Sequence, residues 1–300
     1  MMKAHADWAT PAFGLMPAAP MTGPFTRRPF LEAWWRHRGE GEPLLVEGDD
    51  ALLPLWLDGG TVRFLGEPDL TDYHSPLGPA GASLAEAFAG GLRPGSRLVF
   101  DSLPAEAADP LEAGLAAAGL VVRREVHEVA AVLDLPGDHG SYLEGLSGKQ
   151  RHEVRRKRRR FEEVLGPPVL ARAPNRFGDF ARMHRAAPGE KGEFLTDGLE
   201  AFFADLLAMP GSVLDVLLTT DGAPLAAAFG FEDGDAYYLY NSAFDPGAGT
   251  VSPGTVLVDL LIERAIGAGL RRFDFLKGDE PYKFRLGAAP RPLSRLEAVR

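Results

Sequence analysis

The sequence contains no cysteine. This absence excludes disulfide bonds, thiolate metal sites and a cysteine nucleophile, and it is compatible with the cytoplasmic location that we expect. The seven histidines show no HExxH or similar spacing, so no metal site is expected. No apolar run approaches the roughly 20 residues that a membrane-spanning helix needs, so no membrane span is expected either.

The N-terminal segment lacks a clean apolar stretch, because Asp7, Trp8 and several prolines interrupt it. We therefore expect residues 1–26 to be a disordered or loosely ordered tail rather than a signal peptide. The whole chain has 300 residues, of which 45% are hydrophobic, and is long enough to bury a large core. Two domains are favoured over one, since a domain typically holds roughly 100–200 residues.

Positive charge is concentrated in one segment. The formal net charge of the chain is −10, yet SGKQRHEVRRKRRR at 147–160 holds eight basic residues against one glutamate. The segment therefore carries +7 and the rest of the chain −17. One basic island on an acidic protein predicts a local anion site. It argues against a nucleic-acid-binding module, which is usually basic over a broad surface, but a non-catalytic anion-binding or nucleic-acid-binding scaffold stays an alternative.

Apolar periodicity and turn signals divide the chain into two halves with a similar order of elements. In the first half, a helix precedes a meander of three short strands, and helices then alternate with strands up to residue 135. In the second half, the main elements after the basic segment are strand 169–173, helices 176–186 and 197–208, strands 212–220, 224–232 and 235–244, helix 254–268, strand 271–276, a short helix or turn at 279–286 and strand 292–298. We expect two similar α/β units, at 27–138 and 139–300.

The stretch FDFLKGDEPYKFRLGA, at 273–288, closes a predicted strand on many charges. Its carboxylates are candidate bases, and its tyrosine is a candidate proton donor, together with a tyrosine of the preceding strand. These candidate catalytic residues are Asp274, Glu280, Tyr282 and Tyr240. For each, an ordinary role competes: a carboxylate that binds backbone amides or water, or a tyrosine at the edge of the core.

A second candidate site lies at VSPGTV, residues 251–256, which begins a predicted helix. Helix N-termini bind anions through unpaired N–H groups and the helix dipole. Gly254 lets the backbone approach a phosphate, and Thr255 adds a hydroxyl donor. We expect Ser252, Gly254 and Thr255 to bind a phosphate-bearing ligand, with a plain helix cap built on Ser252 and Pro253 as the alternative.

Several separated motifs resemble those of one family. The motifs are the tyrosine-rich strand YYLYNSAFDP at 237–246, the helix start SPGTV at 252–256, the ending DF…G…YK…G from residue 274 onward, the helix YLEGLSGKQRHEVRRKRRR at 142–160 and the loop DYHSPLG at 72–78. Over residues 27–298 the chain resembles GNAT-superfamily acyltransferases of the FemAB-like and CelD/BcsL type. The resemblance implies an α/β (α+β GNAT-type) fold, with two tandem GNAT-like domains and a central cleft.

The resemblance also implies an activity. It favours an N-acyltransferase that moves an acyl group from acyl-CoA (acetyl-CoA), as co-substrate, to an amine of a small-molecule or cell-envelope acceptor. The alternative is an aminoacyl-tRNA-dependent FemAB-like transferase with tRNA as a partner, although the chain shows no long coiled-coil insertion of the kind that branch carries. The helix start VSPGTV has one glycine, fewer than the usual GNAT pyrophosphate loop.

The resemblance further points to anion-binding residues. Lys283 stands where the family's ending carries a phosphate-contacting lysine, and Arg151 opens the family's basic-helix motif. The other candidates for binding substrate or an anion are Arg155, Arg285, Asp72, Tyr73, His184 and Lys191. Salt bridges to neighbouring acids, surface positions and ordinary turn chemistry are the competing roles.

Overall fold

The computed structural model describes residues 2–8, 13 and 16–300 of the chain. These residues form two compact units. The first unit holds the described residues up to Ala130 together with Arg291–Arg300, and the second unit holds Ala131–Pro290. No helix in the described ranges is long and apolar enough to cross a membrane. Both units combine helices with β-strands, so the predicted α/β class is confirmed.

The first unit contains a strand meander that leads to a parallel strand. Strands β1 to β4 pair antiparallel with their neighbours, whereas β4 and β5 pair parallel. β5 also pairs antiparallel with β12. The elements are β1 (Lys3–His5), α1 (Arg28–Arg38), β2 (Pro43–Glu47), β3 (Leu52–Asp58), β4 (Thr61–Phe64), α2 (Gly81–Gly91), β5 (Arg97–Leu103), α3 (Ala105–Ala117), the first part of β6 (Val122–Asp134) and most of β12 (Ala289–Val299).

Parts of the N-terminal segment differ from the predicted loose tail. Lys3–His5 form β1 and pair with β2. Phe25 is fully buried, and its ring lies 5.0 Å from the ring of Phe30 in an edge-on contact. Backbone pairing and burial of an aromatic ring therefore hold these residues against the first unit. The predicted tail also includes residues 1, 9–12 and 14–15, which lie outside the described residues.

The second unit contains the basic segment and the stretch FDFLKGDEPYKFRLGA. Its strands follow the order β6, β11, β10, β9, β8 and β7 across the sheet. The elements are the end of β6, α4 (His139–Gly145), α5 (Gly148–Leu165), β7 (Val169–Arg172), α6 (Phe177–Arg185), α7 (Glu190–Phe194), α8 (Asp197–Leu207), β8 (Ser212–Leu218), β9 (Pro224–Glu232), β10 (Ala236–Phe244), α9 (Pro253–Gly267), β11 (Arg272–Lys277) and α10 (Pro281–Arg285).

Helix α5, the basic helix, has a well-defined beginning and end. The Ser147 side chain accepts the backbone N–H of Gln150, and the Gln150 side chain accepts the backbone N–H of Ser147, which is a capping box. Gly166 ends the helix with a φ of 80°, a conformation that glycine adopts without strain. Only Val154 and Phe161 are buried, so the helix packs on the core through a narrow apolar stripe.

Strands β10 and β11 lie side by side over a short length and then separate. Their parallel pairing is restricted to Ala236–Tyr238 with Arg272–Asp274, although β10 continues to Phe244 and β11 to Lys277. Beyond Tyr238, β10 stays paired with β9 alone. The sheet of the second unit therefore opens between its two central strands, at their carboxyl ends, where open α/β sheets bind ligands.

The last strand of the chain differs from the predicted domain boundaries. The sequence assigned residues 292–298 to the second domain, whereas β12 pairs antiparallel with β5 from Ser294 to Val299. Leu293 and Leu296 are fully buried. Backbone pairing and burial of these apolar side chains place this strand in the first unit.

Candidate functional site

A cavity of about 920 Å³ lies in the second unit where β10 and β11 separate. This volume is within the range of small-molecule sites. Its walls come from the beginning of α5, the beginning of α9, the end of β10, α7 and the region of α10. The lining residues are Ser147, Lys149, Gln150, Glu153, Val154, Lys157, Lys191, Ser242, Phe244, Gly254, Thr255, Val258, Glu280, Tyr282, Arg285 and Leu286.

The strand that forms one wall is irregular. In the pairing of β10 with β9, the register shifts between Leu239 and Asn241, so Tyr240 has no partner residue in the ladder. Such a bulge changes the direction of a strand and is frequent next to active sites. The Tyr240 ring stacks on Phe203 with ring centres 5.3 Å apart, and Tyr240 does not line the cavity. The structure therefore does not bring this candidate proton donor to the cavity.

Asp274 shapes the end of β11. Its side chain is buried, and its Oδ1 accepts the backbone N–H of Leu276 at 2.8 Å. Leu276 has a φ of 61°, the left-handed conformation, which costs a non-glycine residue about 1–2 kcal/mol. The hydrogen bond from Asp274 supports this turn of the backbone. Asp274 is absent from the cavity lining, so its geometry corresponds to the structural alternative rather than to a base.

The Lys283 side chain binds other groups of the protein. Its ammonium group donates to the backbone carbonyls of Leu276, Lys277 and Gly278 and lies 2.9 Å from the Glu280 carboxylate. The side chain is only 3% exposed. An ammonium has three protons, and four oxygens of the chain already surround this one. Lys283 therefore binds the carbonyl end of β11 and the side chain of Glu280, and it does not line the cavity.

Glu280 and Tyr282 do line the cavity. Lys283 anchors the Glu280 carboxylate, which is otherwise open to solvent. The Tyr282 ring stands edge-on against Phe275, with ring centres 6.2 Å apart. Desolvation, and then the charge of Glu280, raise the pKa of Tyr282 above its usual range. The phenol therefore stays protonated at neutral pH, and its raised pKa makes it a weaker acid than an ordinary tyrosine.

The first turn of α9 also contributes to the cavity wall. Gly254 and Thr255 line the cavity, as predicted for a phosphate site, but Ser252 does not. Ser252 occupies the N-cap position in a left-handed conformation, with a φ of 53°, and its side chain makes no capping bond. The ammonium of Lys157, from α5, donates to the Thr255 hydroxyl at 3.2 Å. A helix N-terminus and a lysine therefore meet at this end of the cavity.

Only part of the basic helix faces the cavity. Arg156, Arg158 and Arg159 form ion pairs with acids of α5 or α9. Arg151 donates to the backbone carbonyl of Glu144, and Arg155 is exposed to solvent away from the lining. The structure therefore does not bring these two predicted anion ligands to the cavity.

Lys149 and Lys157 are the cations of α5 that reach the cavity. The signal for them is present in the sequence, because Lys149, Glu153 and Lys157 recur every four residues and so share one helix face. Ser242 and Gln150 were likewise not singled out from the sequence. Choosing between helix faces required the position of the cavity.

Two further candidates lie around α6 and α7. Lys191 lines the cavity, as does Arg285, the other predicted cation near α10. His184 is 1% exposed and lies outside the lining. Desolvation, then the charge of Lys191, lower the pKa of His184 to about 4, against a side-chain hydrogen bond with Asn241 that raises it. His184 is therefore neutral at pH 7 and lacks the charge expected of an anion ligand.

The remaining candidates belong to the first unit. Tyr73 is fully buried, and the Arg291 guanidinium lies 5.0 Å above its ring. Asp72 is half-buried in the loop between β4 and α2. In the described part of the chain, no group of three His, Asp or Glu side chains is placed to hold a metal ion.

Comparison with known proteins finds one matching family model. Residues 148–284 match the model of a family described as an acetyltransferase (GNAT) domain. No curated protein matches the sequence.

Three solved structures illustrate the wider similarity. A conserved protein of unknown function from Bacteroides thetaiotaomicron VPI-5482 is similar with a TM-score of 0.65 and 12% identity over 100% of both chains. FemX is similar with a TM-score of 0.64 and 11% identity over 96% of this chain and 94% of its own. L-PGS from Bacillus licheniformis is similar with a TM-score of 0.59 and 14% identity over 90% of each chain. The chain therefore has the fold of these proteins, and its second unit, which holds the matched residues, has a GNAT-type fold.

Proposed function

We propose that the protein is an N-acyltransferase that transfers an acyl group from acyl-CoA to an amine of an acceptor. The observation that carries this proposal is the cavity at the separation of β10 and β11. Its lining combines a helix N-terminus and a lysine with a carboxylate and a protonated phenol. These groups match the needs of acyl transfer from a phosphate-bearing donor.

The donor side of the cavity suits a diphosphate. Gly254 has no side chain to cover the first turn of α9, and the backbone N–H groups of a first helical turn favour an anion. Lys157 lies against Thr255 and adds a positive charge at the same place. We assign Gly254, Thr255 and Lys157 to binding of the CoA phosphates.

The acceptor side of the cavity supplies acid and base. Glu280 takes a proton from the attacking amine, directly or through water, and the amine nitrogen forms a bond to the acyl carbon. The carbon–sulfur bond then breaks, and Tyr282 gives a proton to the leaving thiolate. Proton transfer by positioned side chains of this kind contributes typically 10²–10⁴-fold to a rate.

The edge of β10 beyond Tyr238 is the candidate oxyanion site. β11 has separated from this edge of β10, so no strand among the described residues pairs with it there. Backbone N–H groups that point toward a developing negative charge stabilise it strongly in a site from which water is excluded. We assign the stabilisation of the tetrahedral intermediate to this stretch of β10.

A second candidate donor is aminoacyl-tRNA, and one observation favours it. Arg155 and Arg160 are exposed on α5, and neither has an acidic partner among the described residues. Exposed cations along a helix suit the phosphates of RNA. With this donor, the acyl group comes from aminoacyl-tRNA, and the same cavity binds the aminoacyl end of the tRNA.

The test measures binding of acetyl-CoA and release of thiol in the presence of primary amines. A thiol reagent is suitable, because the chain contributes no cysteine to the background. We expect Tyr282→Phe to lower kcat about 100-fold with unchanged affinity for acetyl-CoA. We expect Lys157→Gln to weaken that affinity about tenfold, because a charge-assisted contact is lost.

Arg159→Gln is the matched control, since Arg159 lies on the same helix and pairs with Glu163 at the surface. Its affinity and kcat should equal those of the wild type. If acetyl-CoA does not bind, the acyl-CoA proposal is wrong. If charged tRNA binds instead, the second candidate donor is favoured. Binding without any thiol release would instead indicate a non-catalytic scaffold.

A further inference from the structure

The cationic side chains that line the cavity differ in their partners within the protein. Lys157 donates to Thr255 and lies 3.7 Å from Glu153. Lys191 interacts with the charge of Glu280. Lys149 and Arg285 have neither a hydrogen bond nor an ion pair to any of the described residues. Two positive charges therefore face the cavity without a counterion among residues 2–8, 13 and 16–300.

The acids of the cavity pair with other cations. Both oxygens of Glu153 accept hydrogen bonds from Arg156. Glu280 pairs with Lys283 at 2.9 Å. Cations that share a cavity and lack a protein counterion repel each other, and an anionic ligand relieves this repulsion. Lys149 and Arg285 are both exposed to solvent at the cavity, so an anionic ligand that enters the cavity is able to reach both charges.

The two cations project from chain segments that touch. Leu146, three residues before Lys149, packs against the segment that follows α10, and a side chain at Gly287 would lie 3.0 Å from its Cδ2. The Tyr142 hydroxyl donates to the Leu286 carbonyl at 3.1 Å, which ties α4 to the end of α10. The beginning of α5 and the end of α10 therefore form one end of the cavity.

This end of the cavity is separate from the donor end. Lys149 and Lys157 are eight residues apart on α5, a distance of about 12 Å at 1.5 Å per residue. Lys157 meets the first turn of α9, which we assigned to the donor phosphates. Glu280 and Tyr282, the candidate base and acid, line the same cavity as Arg285 and precede it in the chain by a few residues.

We infer that the acceptor amine carries an acidic group, a carboxylate or a phosphate, and that Lys149 and Arg285 bind this group. The inference rests on the proposed acyl transfer and defines its substrate class. A neutral amine fits the chemistry of Glu280 and Tyr282 but leaves the two cations without a partner. An acidic amine provides a nitrogen for Glu280 and Tyr282 to act on and an anionic group for Lys149 and Arg285 to bind.

The first experiment compares acceptors in matched pairs, with acetyl-CoA as donor and thiol release as readout. O-phosphoethanolamine is compared with ethanolamine, and β-alanine with propylamine, so that the two arms distinguish phosphate from carboxylate. We expect kcat/KM to be about 10–100-fold higher for the acidic member of at least one pair, as charge-assisted hydrogen bonds to a bound anion predict. Equal values within both pairs would overturn the inference.

The second experiment uses variants. Lys149→Gln and Arg285→Gln should remove the advantage of the acidic amine and leave the neutral member of the pair unchanged. Arg159→Gln, on the same helix but paired with Glu163, should leave the advantage intact. A loss that is equal for acidic and neutral amines would show that the two cations do not recognise the acidic group, and would overturn the inference.

A binding measurement separates this inference from the proposed reaction. Calorimetric titration with O-phosphoethanolamine should give binding that Lys149→Gln and Arg285→Gln weaken at least tenfold, and that higher salt weakens too. If this binding occurs but acetyl-CoA neither binds nor reacts, the acidic-ligand site stands and the proposed donor falls. If acyl transfer occurs and neither acidic amine binds through these cations, the proposed function stands and the inference falls.

Discussion

The two units contain the same opening between parallel strands, but only the second unit leaves it as the cavity described above. In the first unit, β4 and β5 pair parallel through two residue pairs and then separate, as β10 and β11 do after three. Both β5 and β11 also contain a non-glycine residue with positive φ near the end of the strand, Ser102 at 56° and Leu276 at 61°.

The first opening is filled by the chain itself. In the loop between β4 and α2, the backbone N–H of His74 donates to the carbonyl of Ser102 at 3.0 Å. The His74 ring stacks on Phe64 at the end of β4, and its Nδ1 lies 3.2 Å from the Asp101 carboxylate of β5. His74 therefore links the ends of both strands.

In the second unit, a different interaction satisfies the end of the separated strand. The carbonyls at the end of β11 bind the Lys283 ammonium from α10 rather than a backbone N–H of an inserted loop. The long Lys283 side chain binds the carbonyls at the end of β11 and does not line the cavity. The comparison teaches that strand separation alone does not make a site, and that the segment which satisfies the exposed strand end decides whether space remains.

The largest expected effect tests the filled opening. Gly66 has a φ of 125°, and a Cβ there would lie 2.4 Å from the Thr71 hydroxyl and 2.8 Å from Nε2 of His74. Gly66→Ala should therefore lower the free energy of unfolding by about 4 kcal/mol, from backbone strain plus overpacking. Gly254→Ala in the second unit meets Phe244 at 3.4 Å, an ordinary contact, and should change it by less than about 1 kcal/mol. Urea unfolding measures both, and equal losses would contradict the comparison.

A smaller effect concerns the buried histidines. His74 faces the Asp101 carboxylate, whereas His184 faces Asn241, Lys191 and Arg185 and has a pKa lowered to about 4. The unfolded chain therefore binds a proton that the folded protein excludes between the ordinary pKa of 6.5 and about pH 4. Stability from His184 is complete above pH 6.5 and falls as the pH drops toward 4, by about 3 kcal/mol.

His184→Gln keeps a neutral polar side chain and should remove this component of the pH dependence. The measurement is the difference between wild-type and variant urea unfolding free energies at several pH values from 7 to 4. A difference that stays constant over this range would mean that His184 does not titrate there.

The smallest effect tests the open site. Lys283→Met leaves three backbone carbonyls without their donor and releases Glu280, so the free energy of unfolding should fall by about 2 kcal/mol. In the protein that remains folded, kcat should fall while affinity for acetyl-CoA is retained, because Lys283 positions Glu280 and does not touch the cavity. Arg159→Met is the stability control. Loss of acetyl-CoA affinity at unchanged stability would restore the role of Lys283 as a phosphate ligand.

Some of the site was predictable from local sequence. The turn residues, the apolar strands and the helix start at Pro253 located β8 to β11 and α9 within a few residues, because these signals are local. Gly254, Thr255, Glu280, Tyr282, Lys191 and Arg285 were also predicted, and they line the cavity. Asp274, Lys283 and Tyr240 were predicted as site residues too, although they do not line the cavity. The sequence does not distinguish a side chain that contacts the protein interior from one that faces a ligand.

The sequence by itself determined the order of most strands and helices, but not β1 or α7, together with the α/β class and the basic character of α5. Only the tertiary structure decided that β12 pairs with β5, that Lys149 and Lys157 rather than Arg151 and Arg155 face the cavity, and that Lys283 is satisfied internally. The physical reason is the range of the interactions. Helix starts, turns and strand periodicity depend on neighbours in the chain, whereas pairing partners, the covered face of a helix and the counterion of a lysine depend on segments far away in sequence.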